Sequence, residues 1–187
     1  MTAILELPEV RQRVSPLSVE EYSRLNQFNE NGKRTELIRG IVIEKMSKSP
    51  LHASIVMRLV ELIPPLLPSG FHARQDQPLS LADSVPEPDF AVVRGSRQDF
   101  LTSHPKSAAL VVEVAVSSVA LDRELASLYA EAGVEEYWII LVPQRAVEIY
   151  RAPVAGIYRE KTVVTERALL NCASVPGLNI PLEEIFA

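Results

Sequence analysis

Ala108-Ala-Leu-Val-Val-Glu-Val-Ala-Val116 is an almost unbroken apolar run with a single carboxylate, Glu113, inside it. Continuous apolar character predicts a central strand covered on both faces. Downstream, Ser118 stands where it can cap a helix, with Asp122 in the first turn, where the dipole favours an acid. Leu121, Leu125, Leu128, Tyr129 and Ala132 share one helical face, and Gly133 ends that helix. Strands are predicted over 137–142, 146–150 and 157–164, the last two pairing around Pro153–Gly156. Pro181 opens a terminal helical turn.

Upstream, Pro86-Glu-Pro-Asp89 is extended, because a residue before proline avoids the helical region. Phe90–Val93 continues it as a strand, and residues 95–107 read as a polar loop with one helical turn. One or two short strands fit Phe71–Ala82. Leu51, Ile55, Leu59, Leu62 and Ile63 predict a helix over about 51–63, stopped by Pro64 and Pro65. Thr35–Gly40 and Ile41–Met46 predict two strands around a tight turn at Arg39-Gly40. Ser18-Val-Glu-Glu21 has the form of a capping box, predicting a helix to about Asn29. Residues 1–16 read as a flexible N-terminal arm. The order of elements is that of an α/β chain, a mixed sheet flanked by helices. With 187 residues, the whole length reads as one domain.

No apolar run approaches the roughly 18 residues of a membrane span. The N-terminus carries Glu6 and no long apolar stretch, unlike a secretory signal. Cys172 is the one cysteine, so no intrachain disulfide forms, which fits a reducing, cytoplasmic setting. The net charge of -5 disfavours an extended nucleic-acid footprint but leaves room for a small basic face. The mixed charges between Arg145 and Arg167 read as a solvated strand surface.

Glu113 carries the first chemical argument. A buried carboxylate needs a cation, a metal or a proton. An ion pair with an arginine would satisfy it; so would a metal. Asp89 carries the second. If its strand neighbours that of Glu113, the two carboxylates converge, and they repel unless a divalent cation lies between them. Magnesium prefers such oxygen donors. Asp89 taken alone also fits a turn acid after proline. Glu36 is a third candidate, alternatively a surface acid. His52, at the start of a helix, reads either as a polar cap or as a residue of the same cleft. His52, His72 and His104 are scattered, which with one cysteine excludes a zinc site of ordinary spacing. There is no Walker loop, Gly-rich dinucleotide turn or Gly-x-Ser-x-Gly elbow.

One ordered series of motifs resembles a family. It runs through Glu36-Leu-Ile-Arg-Gly40, His52, Pro86-Glu-Pro-Asp-Phe-Ala-Val-Val93, Leu110-Val-Val-Glu-Val-Ala-Val-Ser-Ser118, Tyr129-Ala-Glu-Ala-Gly-Val-Glu-Glu-Tyr-Trp138 and Val175-Pro-Gly-Leu178. From about Thr35 to Phe186 the chain is similar to the Uma-type endonucleases of the PD-(D/E)XK, or restriction-endonuclease-like, superfamily. The resemblance implies a mixed β-sheet core flanked by helices. It implies Mg2+ or Mn2+ held by Asp89 and Glu113, with Glu36 as the upstream acid, and DNA as substrate. A homodimer is a further expectation, since such nucleases often use two sites to cut both strands. The superfamily's usual lysine position is Ala115 here. The family's position on the following helix is Leu125, which can neither transfer a proton nor bind phosphate. Lys45 and Lys48 could reach in from the hairpin side, which nothing in the sequence by itself shows. Two readings therefore compete: a metal-dependent endonuclease, and a nuclease-fold binding or assembly module without catalysis. An ion-pair network in an unrelated α/β domain is the third.

Overall fold

The computed structural model describes residues 8–27, 32–45, 47–165 and 167–187. The elements follow as α1 (Pro8–Arg11), α2 (Val19–Gln27), β1 (Thr35–Ile38), β2 (Ile41–Glu44), α3 (Pro50–Leu62), β3 (Phe71–Gln75), β4 (Phe90–Arg94), β5 (Leu110–Ala115), α4 (Val119–Glu131), β6 (Glu136–Leu141), β7 (Ala146–Val154), β8 (Ile157–Thr165), β9 (Leu169–Asn171), β10 (Asn179–Pro181) and α5 (Leu182–Ile185). Six strands join in the order β3-β4-β5-β6-β7-β8. Strands β5 and β6 run parallel, and the other neighbours pair antiparallel. A parallel pair needs a crossover, and α4 supplies it.

Every residue of β5 and of β6 is buried, as the apolar run requires of strands covered on both faces. Period two then divides β5. Leu110, Val112 and Val114 join one core with Ile55, Val56 and Leu59 of α3 and Leu182 and Ile185 of α5. Val111 and Ala115 join a second core with Leu125, Leu128 and Tyr129 of α4. Glu113 shares that second face by alternation. The architecture is the expected α/β mixed sheet flanked by helices. Among the described residues no helix is long and apolar enough to cross a membrane.

Strands β1 and β2 form a separate hairpin through Arg39 and Gly40, both at positive φ, the conformation a two-residue primed turn needs. Leu37 is fully buried and bridges Val85, which ties the hairpin to the chain leading into β4. A Cβ at Gly40 would collide with Pro16, and Leu17 donates its N–H to the Gly40 carbonyl at 2.9 Å. The end of the expected loose arm is therefore anchored on the hairpin turn, and Pro8–Arg11 makes a helical turn. Residues 1–7 of that arm, the end of α2 at Asn29 and the end of β2 at Met46 lie outside the described residues. The capping box at Ser18 forms as expected, with Ser18 donating its N–H to Glu21 Oε2 at 2.8 Å and Glu21 returning its own to Ser18 Oγ at 3.2 Å.

Several local expectations are corrected. Helix α3 starts at Pro50, one residue early, because the Ser49 hydroxyl accepts the His52 N–H. Leu51 is therefore on its exposed side, at 53% accessibility. Leu121 is 48% exposed and faces the cavity described below rather than the sheet. The Ser118 backbone is outside the extended region that aims a capping hydroxyl at the helix. That hydroxyl donates instead to Asp122 Oδ2 at 2.6 Å, and Asp122 is buried. Phe71–Ala82 holds one strand, β3, within the one or two expected. The 145–167 stretch is not simply solvated, because β7 runs inside the sheet. Buried Glu136 pairs with Arg151 at 2.9 Å, and buried Glu148 with Lys161 at 3.0 Å. Strands β9 and β10 were not anticipated, being too short to show a period.

Candidate functional site

Strand pairing brings the first two candidates together. The β4–β5 register sets Phe90 opposite Val112, so the preceding Asp89 falls beside Glu113. The Asp89 N–H donates to Glu113 Oε2 at 3.2 Å, and Asp89 Oδ2 accepts the Val114 N–H at 2.9 Å. Glu113 Oε1 accepts the Tyr129 hydroxyl of α4 at 2.8 Å. Both acids are buried, yet both line a cavity of about 230 Å3. Glu36, Lys48, His52, Asp122 and Leu125 also face it.

A lysine and a histidine reach Asp89 from the segment that runs from β2 into α3. Lys48 Nζ lies 3.0 Å from Asp89 Oδ1 and also hydrogen-bonds Asp76. His52 Nε2 lies 2.9 Å from Asp89 Oδ2. Among the described residues, the buried His52 Nδ1 has no hydrogen-bond partner. His52 thus belongs to the cleft; its backbone N–H meets the Ser49 cap while its ring meets Asp89.

Glu36 is half-buried on the hairpin side and not a surface acid. Its Oε1 accepts the Glu87 N–H at 2.5 Å and lies 3.3 Å from Lys45 Nζ. Lys45 donates as well to the Glu87 carbonyl. Among the described residues, no three His, Cys, Asp or Glu side chains are gathered closely enough to chelate a metal as they stand. The structure thus unites Asp89 with Glu113, and it places Glu36 on the same cavity wall under separate ties. Asp122, which lines the cavity, and Asp76 and Tyr129, which bond Lys48 and Glu113 from behind it, were not picked out as groups of the site. The Ser118–Asp122 spacing, four apart on a helix, is the signal that could have drawn attention to Asp122.

Opposed pKa shifts mark the cluster. Burial works to raise Asp89, but the His52 hydrogen bond and charge, Lys48 and the Val114 N–H outweigh it and hold the carboxyl at about 2. Glu113 is pushed well above the carboxylate range by burial first and by Asp89 next. Burial also raises Glu36, against Lys45. Asp122 rises to about 6, chiefly through burial, with the Ser118 hydroxyl opposing. Titratable groups pushed apart in one cleft are typical of functional sites.

Asp122 gives a pH prediction. A carboxyl raised on folding is protonated in both states at low pH; as pH rises from about 4 through 6, ionisation costs the folded state stability. Asp122→Asn should therefore stabilise the metal-free protein by roughly 2–3 kcal/mol at pH 8 and by little at pH 4. Urea titrations at the two pH values measure this, and a gain of equal size at both would refute it.

The donor set fits a hard divalent cation. Glu113 and Asp89 offer carboxylate oxygens side by side, and Glu113 is stabilised by two neutral donors, so its charge lacks compensation that a cation would provide.

The family model Uma2, described as "Putative restriction endonuclease", matches residues 19–183. The fold is similar to a crystal structure described as "a putative nuclease belonging to DUF820" from Anabaena variabilis ATCC 29413, with a TM-score of 0.76. The two chains are 20% identical, and the match covers 91% of this chain and 98% of that one. At that identity the likeness speaks to the fold. No curated protein matches the chain.

Proposed function

The chain belongs to the Uma2 family, and from that premise we propose that it is a metal-dependent DNA endonuclease that hydrolyses phosphodiester bonds. The observation that carries this reading is the pairing of Asp89 with Glu113 at the floor of an open cavity. Those two residues would hold Mg2+ or Mn2+, with Glu36 the third acid once Lys45 releases it. When bound, such an ion activates water and stabilises charge on the scissile phosphate.

The chain's own residues prepare the site. Tyr129 holds Glu113 in place through its hydroxyl. The Val114 N–H fixes one oxygen of Asp89. A second cavity of about 520 Å3 continues outward from the first, sharing Glu44, Lys45, Ser47 and Lys48 with it and adding Lys33 and Arg34. Lys33 is paired there with Glu44 and Arg34 with Glu87, and both would exchange those partners for the phosphate backbone, which positions a nucleic acid without reading its sequence. A local basic path reconciles DNA binding with the net charge of -5.

The test is nicking of supercoiled plasmid in Mn2+ and in Mg2+, with a chelator control. Metal-dependent nicking is the expected result. DNA binding without nicking in either metal would favour the binding-module reading, which Leu125 in the family's lysine position supports. A homodimer would set two sites on one duplex, and light scattering measures whether the protein is one.

A further inference from the structure

The site has an amine, delivered from a different part of the chain. Ala115 and Leu125 occupy the two positions where a lysine is expected. Leu125 is buried at 8% accessibility in the cavity wall. Two lysines line the same cavity, and their ties differ. Lys45 is engaged by Glu36 and by the Glu87 carbonyl. Lys48 lies 3.0 Å from Asp89 Oδ1, while His52 takes the other oxygen.

Position and anchoring both suit Lys48. It immediately precedes Ser49, the cap of α3, so the helix start that aims His52 also places Lys48. Its ammonium has a second carboxylate, Asp76, directly after β3. Asp76 adopts φ 50°, a left-handed conformation that a non-glycine residue rarely takes, at the point where its side chain meets Lys48. With Asp76 as a standing partner, Lys48 can let go of Asp89 without being left unpaired.

Resting on the proposed endonuclease reading, we propose that Lys48 is the resident amine of this site. In the metal-free protein it is the counter-ion of Asp89. When a divalent cation takes the carboxylates, Lys48 stays tethered to Asp76 and becomes a positioning residue. Its ammonium would then donate hydrogen bonds to a non-bridging oxygen of the scissile phosphate, holding it in place, and would neither take nor give a proton. It thereby replaces the group that Leu125 removes.

The experiment compares wild type, Lys48→Met and Lys48→Met/Leu125→Lys, each checked for folding by its melting curve. Calorimetric titration with Mn2+ reads affinity, and plasmid nicking reads turnover. Lys48→Met takes away a competitor for Asp89, so Mn2+ should bind about tenfold more tightly. Nicking should fall by about 10²–10³-fold, the usual loss for one aimed donor. The double variant should recover at least about tenfold of it, since Leu125 faces the same cavity. A purely structural lysine would not tighten metal binding. Unchanged Mn2+ affinity in folded Lys48→Met, or unchanged nicking where wild type nicks, overturns the proposal. If Lys48→Met does not fold, Asp76→Asn gives a test of opposite sign. There Lys48 is held by Asp89 alone, Mn2+ affinity should fall, and an unchanged affinity overturns the tether and the proposal with it. If wild type nicks no DNA while Lys48→Met still binds Mn2+ more tightly, the endonuclease reading fails and the counter-ion role stands.

Discussion

Glu113→Gln should abolish Mn2+ binding and lower plasmid nicking by about 10³-fold or more, while the metal-free protein stays folded at neutral pH. The size follows from losing several kcal/mol of charge stabilisation at about 1.4 kcal/mol per decade. The separation of activity from stability follows from the site itself. Burial and Asp89 already push the Glu113 carboxyl toward its neutral form, so removing the charge relieves a cost. Glutamine also fits the two contacts. Its carbonyl oxygen can accept the Asp89 N–H, and its amide can donate to the Tyr129 hydroxyl, which turns to accept.

Asp89→Asn should lose metal binding and nicking to a similar degree, but with a different effect on stability. Asp89 is held low by its cationic neighbours, so its charge is an asset in the metal-free fold. Neutralising it strands Lys48 beside Asp76 alone and leaves His52 without its carboxylate. That contribution is present above the unfolded pKa near 4 and lost as pH falls toward 2. Metal titrations on both variants decide the matter, and undiminished Mn2+ binding in the pair would sink the shared site.

Leu125→Ala is expected to cost roughly 2–5 kcal/mol in a denaturant titration. Leu125 belongs to the core that α4 builds against the sheet, together with Leu128 and Tyr129. Truncation removes its apolar contacts and enlarges the space beneath the helix. The result should fall in the lower part of that range, because Leu125 also lines the cavity, whose polar walls let water fill part of the void. A loss near zero would mean that the side chain contributes to the cavity alone. Leu121, four residues earlier on the same predicted face, is the internal control. It is exposed, so Leu121→Ala should change stability by less than about 0.5 kcal/mol.

That contrast within one helix shows where sequence reading stops. Helical spacing placed Leu121 with Leu125, Leu128 and Tyr129, and periodicity has no way to record that a cavity opens beneath the first turn. The same limit applied at α3, where Leu51 fitted the apolar spacing but fell on the exposed side of a helix capped by Ser49. Asp122 read as a dipole partner and is instead a buried acid bonded to Ser118.

The sequence by itself determined the central strand, because a continuous apolar run has few other folded solutions. It also singled out Glu113, because one charge inside such a run stands out, and Asp89, because the prolines before it and the strand after it constrain its place. The ordered motifs carried the family. Only the tertiary structure decided that Asp89 sits beside Glu113, since that depends on the register of β4 against β5. It alone decided that Lys48 and His52 grip the two oxygens of Asp89, and that Lys45 is engaged with Glu36. These groups come from the hairpin exit, the start of α3 and the entry to β4. Local chemistry shapes each segment, whereas their convergence depends on how the hairpin and helix dock against the sheet, a long-range packing outcome that no local pattern encodes.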